Sequence, residues 1–122
     1  MPTILIAEDE HSIATLLRDT LEDEGYTVVL ARHGQEALEI LETTRPALVL
    51  TDVMMPIVDG LALCRAIQAN PAYQTIPVIV MSAIIDRPAA DRCHAIGFLK
   101  KPFDLQNVID TITNVIGLAD HA

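Results

Sequence analysis

Ala47-Leu48-Val49-Leu50-Thr51 is an aliphatic run closed by Thr51 and followed at once by Asp52. Five residues suffice for a buried strand and are too few for a helix. No polar residue alternates with the apolar ones, so both faces of this strand must be covered. The same pattern recurs along the chain. Thr3 to Ala7 is a short apolar run followed by Glu8, Asp9 and Glu10. Thr27 to Ala31 is another. Pro77-Val78-Ile79-Val80-Met81 leads into Ser82, and the short Gly97-Phe98-Leu99 leads, past Lys100, into Lys101-Pro102.

Between the runs the period changes. His11 to Glu24 carries Ile13, Leu16, Leu17 and Leu21 at helical spacing, with acids on the other face. Ser12 is the expected N-cap of that helix and Gly25 its C′ residue. Gly34 to Thr43 reads as a second helix with Ala37, Leu38 and Leu41 inward. Asp59-Gly60 opens a third, which runs through Ala69 and ends at Asn70-Pro71. A short helix is expected between Pro88 and Ile96. From Phe103 onward, Leu105, Val108, Ile109, Ile112 and Val115 mark a last helix. Five βα units without a repeat or linker imply one domain over residues 1–122. Its class is α/β: a doubly wound (βα)5 three-layer sandwich around a parallel five-stranded sheet.

Composition sets the outer limits. The chain has 122 residues, 51% of them hydrophobic and 20% charged, which suits one domain with its own core and excludes disorder. No apolar run reaches the ~18 residues of a membrane span, and the start has no basic region of a signal peptide. Cys64 and Cys93 fit buried thiols in a reducing cytoplasm better than a bridge. The net charge is −9, from 17 acids against 8 Lys and Arg. Residues 1–42 contain only Arg18 and Arg32 as bases beside a majority of the acids. Such a surface lacks the basic footprint of a nucleic-acid partner. Most of these acids read as a solvated face.

A few do not. Doubly wound folds place their sites beyond the carboxyl ends of the strands. There this sequence puts Glu8, Asp9 and Glu10, then Asp52, then Ser82, then Lys101. Glu10 reads as a first-turn helix carboxylate favoured by the macrodipole. Glu8 or Asp9 alone could be a cap. Together with Asp52 they make a group whose mutual repulsion must be offset, and a hard divalent cation with oxygen ligands, Mg2+ above all, does so. The four histidines are scattered at spacings wrong for zinc.

Four segments in order now carry a resemblance. They are Ile4-Leu5-Ile6-Ala7-Glu8-Asp9-Glu10, Asp52-Val53-Met54-Met55-Pro56-Ile57-Val58-Asp59-Gly60, Val80-Met81-Ser82-Ala83, and Phe98-Leu99-Lys100-Lys101-Pro102-Phe103. Over essentially its whole length the chain resembles the receiver domain of two-component response regulators. The resemblance implies a flavodoxin-like strand order, 2-1-3-4-5. It implies that Asp52 is a phosphoacceptor, charged by a sensor histidine kinase or a histidine phosphotransfer protein, and that the chain is not an enzyme beyond its own phosphorylation and slow dephosphorylation. Glu8, Asp9, the Asp52 carboxylate and the backbone carbonyl of Met54 are the implied Mg2+ ligands. Glu8 replaces a more frequent Asp, and its longer arm suits binding through water. Lys101 is implied to pair with a phosphoryl oxygen and Ser82 to donate to another.

Ser82 and Phe98 are the implied switch, acting on the face made by the fourth predicted helix, the fifth strand and the last helix, toward an unknown downstream protein target. Pro56 and Gly60 are implied to shape the loop after Asp52, and Pro102 to follow a cis bond. A cytoplasmic protein without membrane or nucleic-acid contact is expected, and a homodimer is compatible with it. The few residues after the last helix leave either a single-domain regulator or one domain of a larger protein.

Two departures from the family pattern stand out. Ser82 and Lys101 are 19 positions apart, a few fewer than usual, which predicts a shortened fourth helix. His94 stands where Gly is common at the end of that helix, which disfavours a left-handed C-cap there. Met54 and Ile84, both apolar and two positions beyond Asp52 and Ser82, are expected to limit attacking water and slow dephosphorylation. The main alternative is a phosphorylation-independent binding module on the same fold. A hydrolase with an Asp nucleophile would want a second acid at position 54, where Met54 stands.

Overall fold

The computed structural model describes residues 2–83 and 93–120, with side chains described through residue 117. The apolar runs form five strands: β1 (Thr3–Ala7), β2 (Thr27–Ala31), β3 (Leu48–Asp52), β4 (Val78–Ser82) and β5 (Gly97–Lys100). All neighbours pair in parallel, in the order β2-β1-β3-β4-β5. β3 and β4 are buried at every position, as their unbroken apolar sequences require. β3 and β4 each reach one residue further than their apolar runs, so Asp52 and Ser82 are the last residues of their strands.

Among the described residues four helices cover the sheet: α1 (His11–Asp23), α2 (Gly34–Leu41), α3 (Gly60–Ala69) and α4 (Leu105–Asp120). Ala37 and Leu41 of α2 and Leu63, Cys64 and Ile67 of α3 join Leu5, Val49, Val78 and Val80 in one apolar cluster. Leu17 and Leu21 of α1 and Val108, Ile112 and Ile116 of α4 join Ile4, Ile6, Leu50, Ile79 and Met81 in the other. Alternate residues of each strand therefore face opposite layers, which makes the sandwich. Each fully buried Leu or Ile in these clusters contributes about 2 kcal/mol.

Helix ends show where local chemistry departs from the pattern. The N-cap of α1 is Glu10, not Ser12: the Ala14 N–H reaches the Glu10 carbonyl at 3.0 Å, while Ser12 already lies in the first turn. Ser12 instead turns its hydroxyl to Glu10 Oε1 at 3.4 Å. The far end of α1 closes as a Schellman motif, with Gly25 at φ 96°, Gly25 N–H on the Glu22 carbonyl and Tyr26 N–H on that of Leu21. α2 stops at Leu41, short of Thr43, because the next N–H groups tighten onto carbonyls three residues back. α4 begins at Leu105, after Asp104 accepts the Gln106 N–H at 2.8 Å.

The short helix expected between Pro88 and Ile96, with its predicted shortening, and Ile84 fall largely on residues 84–92, outside the described residues. His94 is described, and it overturns the expectation drawn from its side chain: its φ is 58°. Histidine is among the few non-glycine types enriched in that region. Both cysteines are buried and not joined in a disulfide, as their contexts suggest. Among the described residues no helix is long and apolar enough to cross a membrane.

Candidate functional site

β1 and β3 are adjacent, so their carboxyl ends deliver Glu8 and Asp52 side by side. Glu8 and Asp52 are 2% and 6% exposed, whereas Asp9 is open to solvent. A carboxylate oxygen from each of Glu8, Asp9 and Asp52 lies within 4.8 Å of the other two. Lys101, just past β5, reaches across the top of the sheet. Its Nζ donates to Glu8 Oε1 at 2.8 Å and to Asp52 Oδ2 at 3.1 Å. The Lys101–Pro102 bond is cis, as the resemblance implied. Lys101 N–H also donates to the Ser82 carbonyl at 2.8 Å, which ties the lysine's backbone to the end of β4.

One ammonium bridges two carboxylates with a third beside them, and the crowding is visible in the protonation of Glu8. Burial, reinforced by the nearby Asp52 charge, pushes the Glu8 carboxyl up to about 7, although Lys101 and the Glu10 N–H pull it down. Burial alone would depress the Lys101 ammonium, yet its bonds to Glu8 and Asp52 outweigh this and hold it above the ordinary lysine value. The lysine thus stays charged, while the cluster keeps more negative charge than it can hold without cost. All the donors are hard oxygens, with one carboxylate open to water. That set fits Mg2+, which keeps several waters and takes few protein ligands.

The loop after Asp52 is fixed by close backbone contacts. Met54 N–H points to Asp52 Oδ1 at 3.4 Å, and Gly60 N–H donates to the Val53 carbonyl at 2.9 Å. A Cβ on Gly60 would overlap the Asp52 carbonyl oxygen and meet its carbon at 2.8 Å, so only glycine fits at the start of α3. Asp59 caps that helix through the Ala62 N–H at 2.8 Å. Sequence reasoning did not see the loop's strain. The Val58 N–H bonds the Pro56 carbonyl at 2.8 Å around Ile57, whose φ is 69°. That is a γ-turn of the rarer, positive-φ hand, on a β-branched residue. Ile57 is 76% exposed and Met54 is 72% exposed.

Ser82 is buried at the end of β4, opposite Lys100 of β5. Phe98 lies two residues earlier on β5, opposite Val80, half-buried against the cluster shared with α2 and α3. A further feature carried no local sequence signal, because three separate stretches of the chain contribute to it. A groove of about 380 Å³ opens beside Lys101, lined by Ile13, Leu16, Ala83, Pro102 and Phe103.

Two acids just past β1, an aspartate ending β3, and a lysine before a cis-proline thus meet in one place on a 2-1-3-4-5 sheet. The family described as the response regulator receiver domain matches residues 4–113. The chain belongs to that family. It is a receiver domain of two-component signalling. A relative of the receiver family, the response regulator MprA of Mycolicibacterium vanbaalenii, is 37% identical over 109 residues. That match covers 87% of this chain and 46% of the relative, so the chain spans about half the length of the curated relatives it matches. The receiver domain of a signal transduction histidine kinase from Syntrophus aciditrophicus superposes with a TM-score of 0.89 at 36% identity, covering 96% of this chain and 91% of that one. The receiver domain of the sensor histidine kinase PA1611 from Pseudomonas aeruginosa is 27% identical, with a TM-score of 0.85 over 95% of this chain and 98% of its own. That structure has a magnesium ion coordinated in its active-site cleft.

Proposed function

We propose that this receiver accepts a phosphoryl group on Asp52 from a phosphohistidine of a sensor kinase or phosphotransfer protein. The observation that carries the reading is Lys101 bridging Glu8 and Asp52, with Asp9 beside them. A carboxylate oxygen of Asp52 attacks phosphorus, the N–P bond breaks, and the imidazole, protonated on its other ring nitrogen, departs neutral with the electron pair. Such a transfer asks for in-line placement and charge neutralisation more than for acid–base work.

Glu8, Asp9, the Asp52 carboxylate and the Met54 carbonyl would hold Mg2+. When bound, the ion supplies positive charge against the incoming phosphoryl oxygens. Lys101 is already desolvated beside Asp52 and offers a second positive charge to those oxygens. Ser82 donates its hydroxyl to another. Exposed Met54 stands over the acceptor side and limits access of hydrolytic water. The chain takes one phosphoryl group and is not a turnover enzyme.

The groove beside Lys101 suits the phosphodonor. Its apolar walls would take the donor's apolar surface, and the acidic face of α1, with Asp19 and Glu22, would help select a donor with basic residues. Output follows from packing. Ser82 drawn toward the phosphoryl group frees space for Phe98, which has no hydroxyl to offer and can signal only by its ring.

Exposure to a small acyl phosphate with Mg2+ tests the reading. Wild type should gain one phosphoryl group by intact mass, and Asp52→Asn should gain none. Equal labelling of the two would remove the acceptor role and favour a binding module that works without phosphorylation.

A further inference from the structure

Thr51 has no part in the chemistry so far, yet it is fully buried in a strand that is otherwise aliphatic up to Asp52. Its Oγ1 donates to the carbonyl oxygen of Asp52 at 3.0 Å. The same carbonyl is approached from another direction by Gly60, so closely that any Cβ there would overlap it. On the far side of that peptide, the Val53 N–H donates to the Met81 carbonyl of β4 at 2.9 Å, and in the next peptide the Val53 carbonyl accepts from Gly60 N–H at 2.9 Å. The peptide unit joining Asp52 to Val53 is therefore gripped by a hydroxyl, a helix start and the neighbouring strand.

We propose that Thr51 is a positioning residue for Asp52. Its hydroxyl fixes the carbonyl of the Asp52–Val53 peptide, and a displaced carbonyl would shift the Asp52 Cα to which it is bonded, and with it the carboxylate held by Lys101. This rests on the reading of Asp52 as the acceptor.

A buried threonine hydroxyl commonly bonds nearby backbone only to satisfy itself. The two roles differ in what a valine does. Valine has nearly the same shape, but it puts a methyl where Oγ1 stands. Carbon and carbonyl oxygen ordinarily keep about 3.3–3.6 Å apart, so at a 3.0 Å spacing the carbonyl must give way. Alanine leaves the carbonyl unpushed but unheld. Serine keeps the bond. Transfer is sensitive to such shifts, since a misplacement of ~1 Å can cost on the order of a hundredfold in rate.

The test phosphorylates the full chain with a small acyl phosphate and Mg2+, reading the maximal rate, the half-saturating donor concentration and the melting temperature. Thr51→Val should lower the maximal rate about tenfold while the half-saturating concentration stays within about twofold, and Thr51→Ser should restore the rate to within about twofold of wild type. Should Thr51→Val not fold, Thr51→Ala carries the same expectation of a slowed maximal rate. A valine or alanine variant as fast as wild type overturns the positioning role, and so does a serine variant as slow as valine, since then the methyl is what matters. Wild type that takes no label contradicts the acceptor reading itself, an outcome distinct from all of these.

Discussion

Two glutamates sit in ion pairs of nearly equal length and respond to them in opposite ways. Glu36 lies in the first turn of α2 and meets Arg32 Nη2 at 2.9 Å, with the arginine side chain 82% exposed. Glu8 directly follows β1 and meets Lys101 Nζ at 2.8 Å, with its own side chain fully buried. The Arg32 guanidinium, through its hydrogen bonds, holds the Glu36 carboxyl below the ordinary value. Burial pushes Glu8 up to about 7 in spite of its lysine. Distance is the same; the dielectric and the neighbours are not. At the surface a cation meets one acid and water does the rest. At the sheet end a cation is shared between two buried acids with a third acid beside them.

The sharpest way to break this comparison is to remove the cation from each pair. Lys101→Ala strands buried carboxylates, so metal-free protein should lose about 3 kcal/mol of stability, read by urea unfolding in chelator. Added Mg2+ should recover more stability in this variant than in wild type. An unchanged midpoint would mean the cluster is not under electrostatic load.

Next in size is the effect of pH. Glu8 has a raised folded-state value, so its contribution is fully present below about pH 4.5 and is lost as pH rises through about 7. Glu36 runs the other way: its value is lowered, so its contribution is present above the unfolded value and lost as pH falls. Mg2+ should therefore raise the melting temperature more at pH 8 than at pH 5.5. Equal increments at the two pH values would contradict the assignment of the excess charge to Glu8.

Smaller still is the loop that overlies the acids. A β-branched residue in the left-handed region costs about 1–2 kcal/mol, and Ile57 buries little to offset it. Ile57→Gly should stabilise the protein by about 0.5–1 kcal/mol after the glycine's added unfolded-state freedom is subtracted. A loss of stability would show that the isoleucine makes contacts worth more than its strain. Last, Arg32→Ala should leave the melting temperature unchanged in physiological salt, because exposed pairs are screened. A clear drop would erase the contrast between the two glutamates.

The same contrast explains how far the sequence could be read. Strands were legible because a short apolar run such as Val78 to Met81 has few other fates, and Glu8, Asp52 and Lys101 followed from standing at strand ends. The N-cap of α1 was misplaced because Ser12 is the better capping residue by type, while the helix starts where the chain leaves β1, at Glu10. His94 enters the left-handed region because a side chain only disfavours that conformation and does not forbid it. Thr51 was hidden by its neighbours: a threonine in a strand is ordinary, and only the packing of Gly60 on the Asp52 carbonyl gives its hydroxyl a context. The groove beside Lys101 was illegible for the same reason, since Ile13 and Phe103 meet only through the fold.

The most direct test of the central claim follows phosphorylation at one residue. Wild type and Asp52→Asn would be incubated with a small acyl phosphate, with and without Mg2+, and read by intact mass and peptide mapping. One phosphoryl group on the Asp52 peptide of wild type, dependent on Mg2+ and missing from Asp52→Asn, is the predicted result. Label on another peptide, or none with Mg2+ present, would contradict it.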